Sequence, residues 1–408
     1  MSPVAPFRAS VASLAACSAL LAAATASADP TVSCQDSMLR PNVIYVAGST
    51  AVKPFLGALA VQVAQASPSY TIVYQSQGSC TGVNAVFASD PNLQLVKDKA
   101  GNWAVFFSAD GTTSTECLLD PAGNKVDVGV SDVFAASCGA TAPAGVEIGD
   151  YQGPIQAMTF VVPAVSTQRT ISAEAAYMVF GMGGSKGAAS PWLDANYYYV
   201  RNATSGTQQM IASAIGVPAA KWWGGDRGGS SAVVNQMQIL LDPTTAEKAI
   251  GILAGDVAAQ SPDLLRVLKF QAKGQSCAYA PDSSPFILDK INVRDGHYPI
   301  WGPVHFFART TNGLPSVAAS ALVSRFAAPK PDQKLLDSII TTHVVPKCAM
   351  RVTRSTEMGP LSSYTTDSRC SCYYEKGATG KTSCQTCTQA SECPSSAPAC
   401  NYGYCETP

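Results

Sequence analysis

The sequence predicts an α/β protein that carries a small, disulfide-rich module at its C-terminal end. Three observations point there. Short apolar runs alternate with helix-like stretches over most of the chain. Four of the turns between them bear Ser, Thr or Asp, at the carboxyl ends of strands, where open α/β sheets hold ligands. Seven of the 14 cysteines crowd into the segment from Cys370 to Cys405.

The elements follow in order. Asn42–Ala47 is a short buried strand ending at Gly48-Ser49-Thr50, and a helix runs from about Val52 to Gln65, with Pro54 tolerated in its first turn. Tyr70–Gln75 alternates as a strand that ends in Gln77-Gly78-Ser79, before another helical start at Gly82–Ala88. Residues 90–124 break the rhythm with Gly, Asn, Asp and Thr clusters around Ala104–Phe107 and Cys117–Leu119, the pattern of a surface insertion carrying a hairpin. Val126–Val130 resumes as a strand and delivers Ser131-Asp132. Ile155–Val162 then crosses to a second lobe. That lobe holds the helix Ser172–Phe180, the strand Tyr197–Arg201, a helix after Thr207, the segment Ser230–Leu241 and the strand Ala249–Leu253. Tyr298–Phe307 returns the chain to the first lobe, and a helix over Asp332–Thr342 closes it. The expected division is therefore 40–165 with 297–346 as lobe I and 166–296 as lobe II, with crossings near Pro163 and Gly296. A polar linker at 347–369 and the cysteine-rich module at 370–408 complete it.

The N-terminus reads as an export signal. Arg8 precedes the apolar stretch Val11–Ala24 and the small-residue site Ala26-Ser27-Ala28, so residues 1–28 are expected to be a signal peptide cut after Ala28. Leu14-Ala15-Ala16-Cys17 offers a second reading, a lipobox that would place a lipid anchor on Cys17. No other run reaches the ~18 apolar residues of a membrane span. The expected location is the periplasm or the bacterial cell surface. Charged residues make up 13% of the chain and the net charge is −1. That balance offers no basic face for nucleic acid or anionic lipid. In an exported chain Cys34, Cys80, Cys117, Cys138, Cys277, Cys348, Cys370, Cys372, Cys384, Cys387, Cys393, Cys400 and Cys405 are disulfide candidates. The connectivity stays open: Cys117 could pair with Cys80 or Cys138, and the odd total leaves one thiol over. Cys384-x2-Cys387 could bind zinc, but five neighbouring cysteines favour disulfides, and no metal site is expected.

The candidate ligand residues lie in the four turns. Arg201 stands four residues before Ser205-Gly206-Thr207, at the start of a helix. A guanidinium offers a rigid fork of donors matched to a tetrahedral oxyanion. A helix start adds free N–H groups and the positive end of its dipole. Taken singly, Thr50, Ser79 and Thr207 are ordinary helix caps, Arg201 an ion-pair partner, and the pair Trp222-Trp223 a packing anchor.

Together, Ala47-Gly-Ser-Thr50, Gly78-Ser79, Val130-Ser-Asp132 and Arg201 with Ser205-Gly-Thr207 resemble, in their order, the periplasmic phosphate-binding proteins of ABC transporters. These belong to the wider type II-like group of two-lobed solute-binding proteins. The resemblance covers roughly Val43 to Thr342. It implies a two-lobed periplasmic-binding-protein-like fold with a ligand cleft and two hinge crossings. It also implies a monomer that is not an enzyme, needs no cofactor, and hands its ligand to a membrane permease. The implied ligand set is Ser49, Thr50, Ala51, Ser79, Asp132, Arg201, Ser205, Gly206 and Thr207. Ala51 departs from the Phe frequent in the family, at a contact made through the backbone. The insertion and the tail are additions to the family pattern. Asp132 is repulsive to an anion unless the ligand carries a proton, as phosphate does at neutral pH and sulfate does not. Two other readings fit the same fold: a surface attachment or sensing protein without phosphate transport, and a phosphatase. His297, His305 and His343 are too scattered for a zinc site, and no G-x-S-x-G nucleophile turn stands out.

Overall fold

The computed structural model describes residues 29–35, 42–108, 110–187 and 189–407. The expected signal peptide, with Cys17, lies outside the described residues. Lobe I is built from β1 (Val43–Gly48), α1 (Lys53–Ala64), β2 (Thr71–Ser76), α2 (Ser79–Phe87), β3 (Ala104–Phe107), β4 (Ser114–Cys117) and β5 (Val128–Ser131). The long strand β6 (Glu147–Pro163) leads into lobe II, which contains α3 (Ala173–Met182), β7 (Tyr198–Val200), α4 (Gly206–Ile215) and β8 (Gly225–Asp226). Lobe II continues through α5 (Ser230–Gln238), β9 (Ile250–Ala254) and α6 (Gly255–Ala259) before β10 (Trp301–Thr311) returns. The helices α7 (Val317–Ala327) and α8 (Gln333–Thr341) complete lobe I, and α9 (Ser371–Thr379) opens the C-terminal module.

One twisted sheet runs through both lobes in the order β8-β7-β9-β6-β10-β5-β1-β2-β3-β4. In lobe I, β1 pairs in parallel with β2 and β5; in lobe II, β7 pairs in parallel with β8 and β9. Parallel neighbours place the carboxyl ends of their strands on one edge, and in each lobe that edge faces the other lobe. The expected two-lobed α/β fold is therefore the fold observed. β6 and β10 are antiparallel and shared by the lobes. β6 lies beside β10 as far as Ala157 and beside β9 from Met158 to Val161. The crossing thus falls at Ala157–Met158 and the return at Trp301, upstream of Pro163 and downstream of Gly296, near which they are expected. The reason is burial: β6 is buried without a break from Gly153 to Pro163, so the strand runs through the boundary instead of ending at it.

Each lobe has its own core. Leu56, Leu59, Val128 and Phe306 anchor one, and Phe160, Phe180, Tyr198 and Phe270 the other. Trp222 stacks on Phe180 at 4.6 Å, the packing role expected of it, while Trp223 is exposed. Residues 90–124 do carry a hairpin, β3–β4, but it is more than a surface loop. β3 pairs antiparallel with β2 and extends the main sheet.

The disulfides correct one expectation. Cys117 pairs with Cys34, and Cys80 pairs with Cys138. Cys34 lies beside the hairpin through the bridge between Ser33 and Leu118, which places it within reach of Cys117. The module is held by Cys372–Cys384, Cys387–Cys400 and Cys393–Cys405, so Cys384 and Cys387 are not a thiolate pair for zinc. Cys277 is an exposed free thiol. Cys348–Cys370 ties the module to the body. Residues 347–369 are not a bare tether. The Arg351 amide bonds the Arg294 carbonyl at 2.9 Å, the Arg354 guanidinium lies 4.2 Å over Trp301, and Tyr374 belongs to the lobe II core. Among the described residues no helix is long and apolar enough to cross a membrane.

Candidate functional site

The four turns expected to carry ligand residues converge where the lobes meet. Lobe I contributes the ends of β1, β2 and β5. The Ser49 amide donates to the Val130 carbonyl at 3.0 Å, and the Gln77 and Gly78 amides donate to the Gly48 carbonyl, so the three strand ends are laced together by backbone alone. On that frame Asp132 is buried and its Oδ2 accepts from Ser49 Oγ at 2.5 Å and from Ser79 Oγ at 3.1 Å. The Asp132 amide in turn donates to Ser79 Oγ at 3.1 Å. Tyr74 Oη donates to the Ser49 carbonyl from below. Asp132 Oδ1 is buried with no hydrogen-bond partner among the described residues. Burial pushes the Asp132 carboxyl above its ordinary range, while Ser49, Ser79, Arg201 and His305 pull it back. A carboxylate with one unpartnered oxygen and a raised proton affinity is a strong hydrogen-bond acceptor for a protonated group.

Lobe II contributes Arg201 at the end of β7 and the start of α4. The Arg201 amide donates to Gln208 Oε1 at 2.9 Å, and Gln208 Nε2 reaches the Ala219 carbonyl, which locks the strand end to the helix. The guanidinium is buried. Nε donates to the Gly228 carbonyl at 2.8 Å, Nη1 to Ser230 Oγ at 3.1 Å, and Nη2 to Thr50 Oγ1 of lobe I at 2.9 Å. Those three bonds use three of its five N–H groups. Thr50 follows Ser49, so the guanidinium of one lobe and the carboxylate of the other lie on neighbouring residues of one turn. They make no direct ion pair; their fields nonetheless act on each other.

The Ser205-Gly206-Thr207 turn explains its glycine. A Cβ on Gly206 would lie 2.2 Å from Ser79 Oγ and 2.8 Å from Asp132 Oδ2. The Cys80 amide donates to the Thr204 carbonyl at 3.0 Å. Lobe II therefore docks its helix start directly on Ser79 and Asp132, and only a residue without a side chain fits. Ser205 Oγ is buried and has no hydrogen-bond partner among the described residues. Thr207 is buried in the first turn of α4, where N–H groups lack intrahelical acceptors.

The structure thus gathers Ser49, Thr50, Ser79, Asp132, Arg201, Ser205, Gly206 and Thr207. Ala51 differs from its expected role: its amide donates to Ser49 Oγ at 3.1 Å and so faces inward. Three groups were missed. Ser230 holds Arg201, and its place at a helix start after Gly228-Gly229 could have flagged it. Asp256 accepts from Gln156 Nε2 at 2.8 Å, and burial pushes its carboxyl up to about 7. Glu357 Oε2 accepts from the Phe134 amide at 3.2 Å, directly after the Asp132-Val133 pair. Burial pushes it up to about 7 as well. Neither carboxylate sits in a motif; long-range packing alone brings them here.

No protein-family description matches the chain, and no curated relative does. Among solved structures it is similar to a putative phosphate ABC transporter substrate-binding protein with bound phosphate from Clostridium perfringens. The identity is 13%, over 75% of this chain and 99% of that one, with a TM-score of 0.49. It is also similar to an ABC-type phosphate transport receptor from Vibrio cholerae, at 14% identity over 75% of this chain and all of that one, TM-score 0.46. A possible phosphate binding protein from Planctomyces limnophilus matches at 14% identity over 75% and 93% of the two chains, TM-score 0.43. Likeness at this level leaves the ligand to be argued from the chain's own residues.

Proposed function

We propose that this chain is an exported solute-binding protein that captures phosphate in the cleft between its lobes and presents it to an ABC-type membrane permease. The observation that carries this reading is the meeting of Arg201 from lobe II with Ser49, Thr50 and Asp132 from lobe I. Arg201 supplies charge and directional donors. Thr50, Ser205 and the first turn of α4 supply further donors. Asp132 supplies the acceptor that a protonated oxyanion needs and that sulfate cannot satisfy, a mismatch worth ~10⁴–10⁵-fold in sites of this kind. The six disulfides among the described residues fit the oxidising compartment that export implies. Five heavy atoms at a ceiling of ~1.5 kcal/mol each put the affinity for orthophosphate near micromolar.

The experiment is calorimetry of the full chain with inorganic phosphate. Wild type should show saturable binding, and Arg201→Ala should lose ~100-fold or more, because it removes the buried charge from the clamp. Equal binding by both proteins would refute the site.

A further inference from the structure

The open part of the cleft does not lie over Asp132. It is a cavity of ≈ 270 Å³ that begins at Thr50 and Ser230, the two hydroxyls held by Arg201, and runs outward between the lobes. Its size is close to the lower end of the ~300–1,000 Å³ clefts that take small organic ligands, and more than a five-atom anion fills. Lys53 lines it, on the first turn of α1. That lysine makes none of the ion pairs found among the described residues. The outer wall is supplied by the hairpin of the insertion, through Thr113 and Ser114, and the opposite wall by Gln260 at the end of α6. Hydroxyls and one amide are set among the apolar Pro54, Phe107 and Val257 on these walls, so they can meet a short carbon chain that carries hydroxyl groups of its own.

We propose that the cleft takes a phosphorylated polyol, with its phosphoryl group between Arg201 and Asp132 beside Thr50 and its ester oxygen directed past Ser230 into the cavity. Its hydroxylated carbon chain would lie between the hairpin and Gln260. The inference rests on anion capture by Arg201 and adds the chemical class of the ligand. Lys53 lines the same cavity, and its ammonium complements the negative charge that a phosphate ester keeps. The hairpin acquires a purpose in this arrangement, since it extends the sheet to the point where it walls the cleft.

The test is calorimetry of the full chain with inorganic phosphate, glycerol 3-phosphate and glycerol. The ester should bind at least ~10-fold more tightly than inorganic phosphate, and glycerol should give no heat. Gln260→Trp and Thr113→Trp fill the cleft from opposite walls. Each should reduce the ester to the affinity of inorganic phosphate while leaving inorganic phosphate unchanged. An ester that binds no better than phosphate, or a preference that survives both tryptophans, overturns this inference and leaves anion capture standing. Absence of binding by both phosphate and ester overturns the two together.

Discussion

The two halves of the site are built differently. In lobe I the carboxylate half is stapled and satisfied inward: the Cys80–Cys138 disulfide begins one residue after Ser79 and ends six after Asp132, and two serine hydroxyls converge on one carboxylate oxygen. In lobe II the guanidinium half has no disulfide among the described residues. Arg201 is held by hydrogen bonds to Gly228 and Ser230, and it reaches across to Thr50. In the proposed function the carboxylate half would read protonation and the guanidinium half would supply charge, and both reach one ligand where the lobes meet, as Arg201 reaches Thr50. Closure of two lobes around a ligand would then couple capture to motion.

Removing the staple should produce the largest effect. A Cys80→Ala/Cys138→Ala double variant opens a loop of 58 residues, which costs about 4 kcal/mol of stability in the chain-entropy account. Denaturant unfolding reads it, and a midpoint unmoved from wild type would show that lobe I needs no covalent support.

Proton linkage comes next. Asp256 and Glu357 are both raised to about 7 by burial, above the values they take when unfolded. Their contribution to stability is therefore fully present at pH below about 4. It is lost as pH rises through about 7, by up to about 7 kcal/mol for the pair. A Tm profile should fall across that window, and an Asp256→Asn/Glu357→Gln variant should flatten it. A slope that persists in the double variant would assign the titration elsewhere.

Docking of the lobes can be tested at Gly206. Gly206→Val places side-chain atoms where Ser79 Oγ already lies 2.2 Å from an ideal Cβ. Phosphate affinity should drop by about 2–3 kcal/mol, roughly 100-fold, as donors from α4 are held off the ligand. The smallest effect belongs to Ser230→Ala, which removes one of the three bonds that aim Arg201. About 1 kcal/mol of affinity, close to fivefold, should go with it. Calorimetry measures both, and Ser230→Ala equal to Arg201→Ala in effect would mean the clamp fails as a unit.

Much of this architecture was legible in the residues. The helix starts after Ser172, Thr207 and Asp332, and the strands before Ser49, Ser79 and Asp132, follow from caps, turns and apolar runs. Such local signals depend on neighbours in sequence. What escaped detection depends on neighbours in space. Cys34 meets Cys117 across 83 positions. Glu357 meets the Phe134 amide from a segment whose Ser, Thr and Gly content reads as a linker, and Arg354 beside it covers Trp301. The inward turn of the Ala51 amide depends on which way Ser49 points, and no spacing encodes that.

In the proposed site Asp132 accepts a hydrogen bond from the proton that the bound anion carries. The most direct test of that role is the ratio of phosphate to sulfate affinity, measured by calorimetry for wild type and for Asp132→Asn at neutral pH. The ratio should be ~10⁴ or more in wild type and shrink at least ~100-fold in the variant, because an amide can donate to sulfate where a carboxylate repels it. An unchanged ratio would contradict that role.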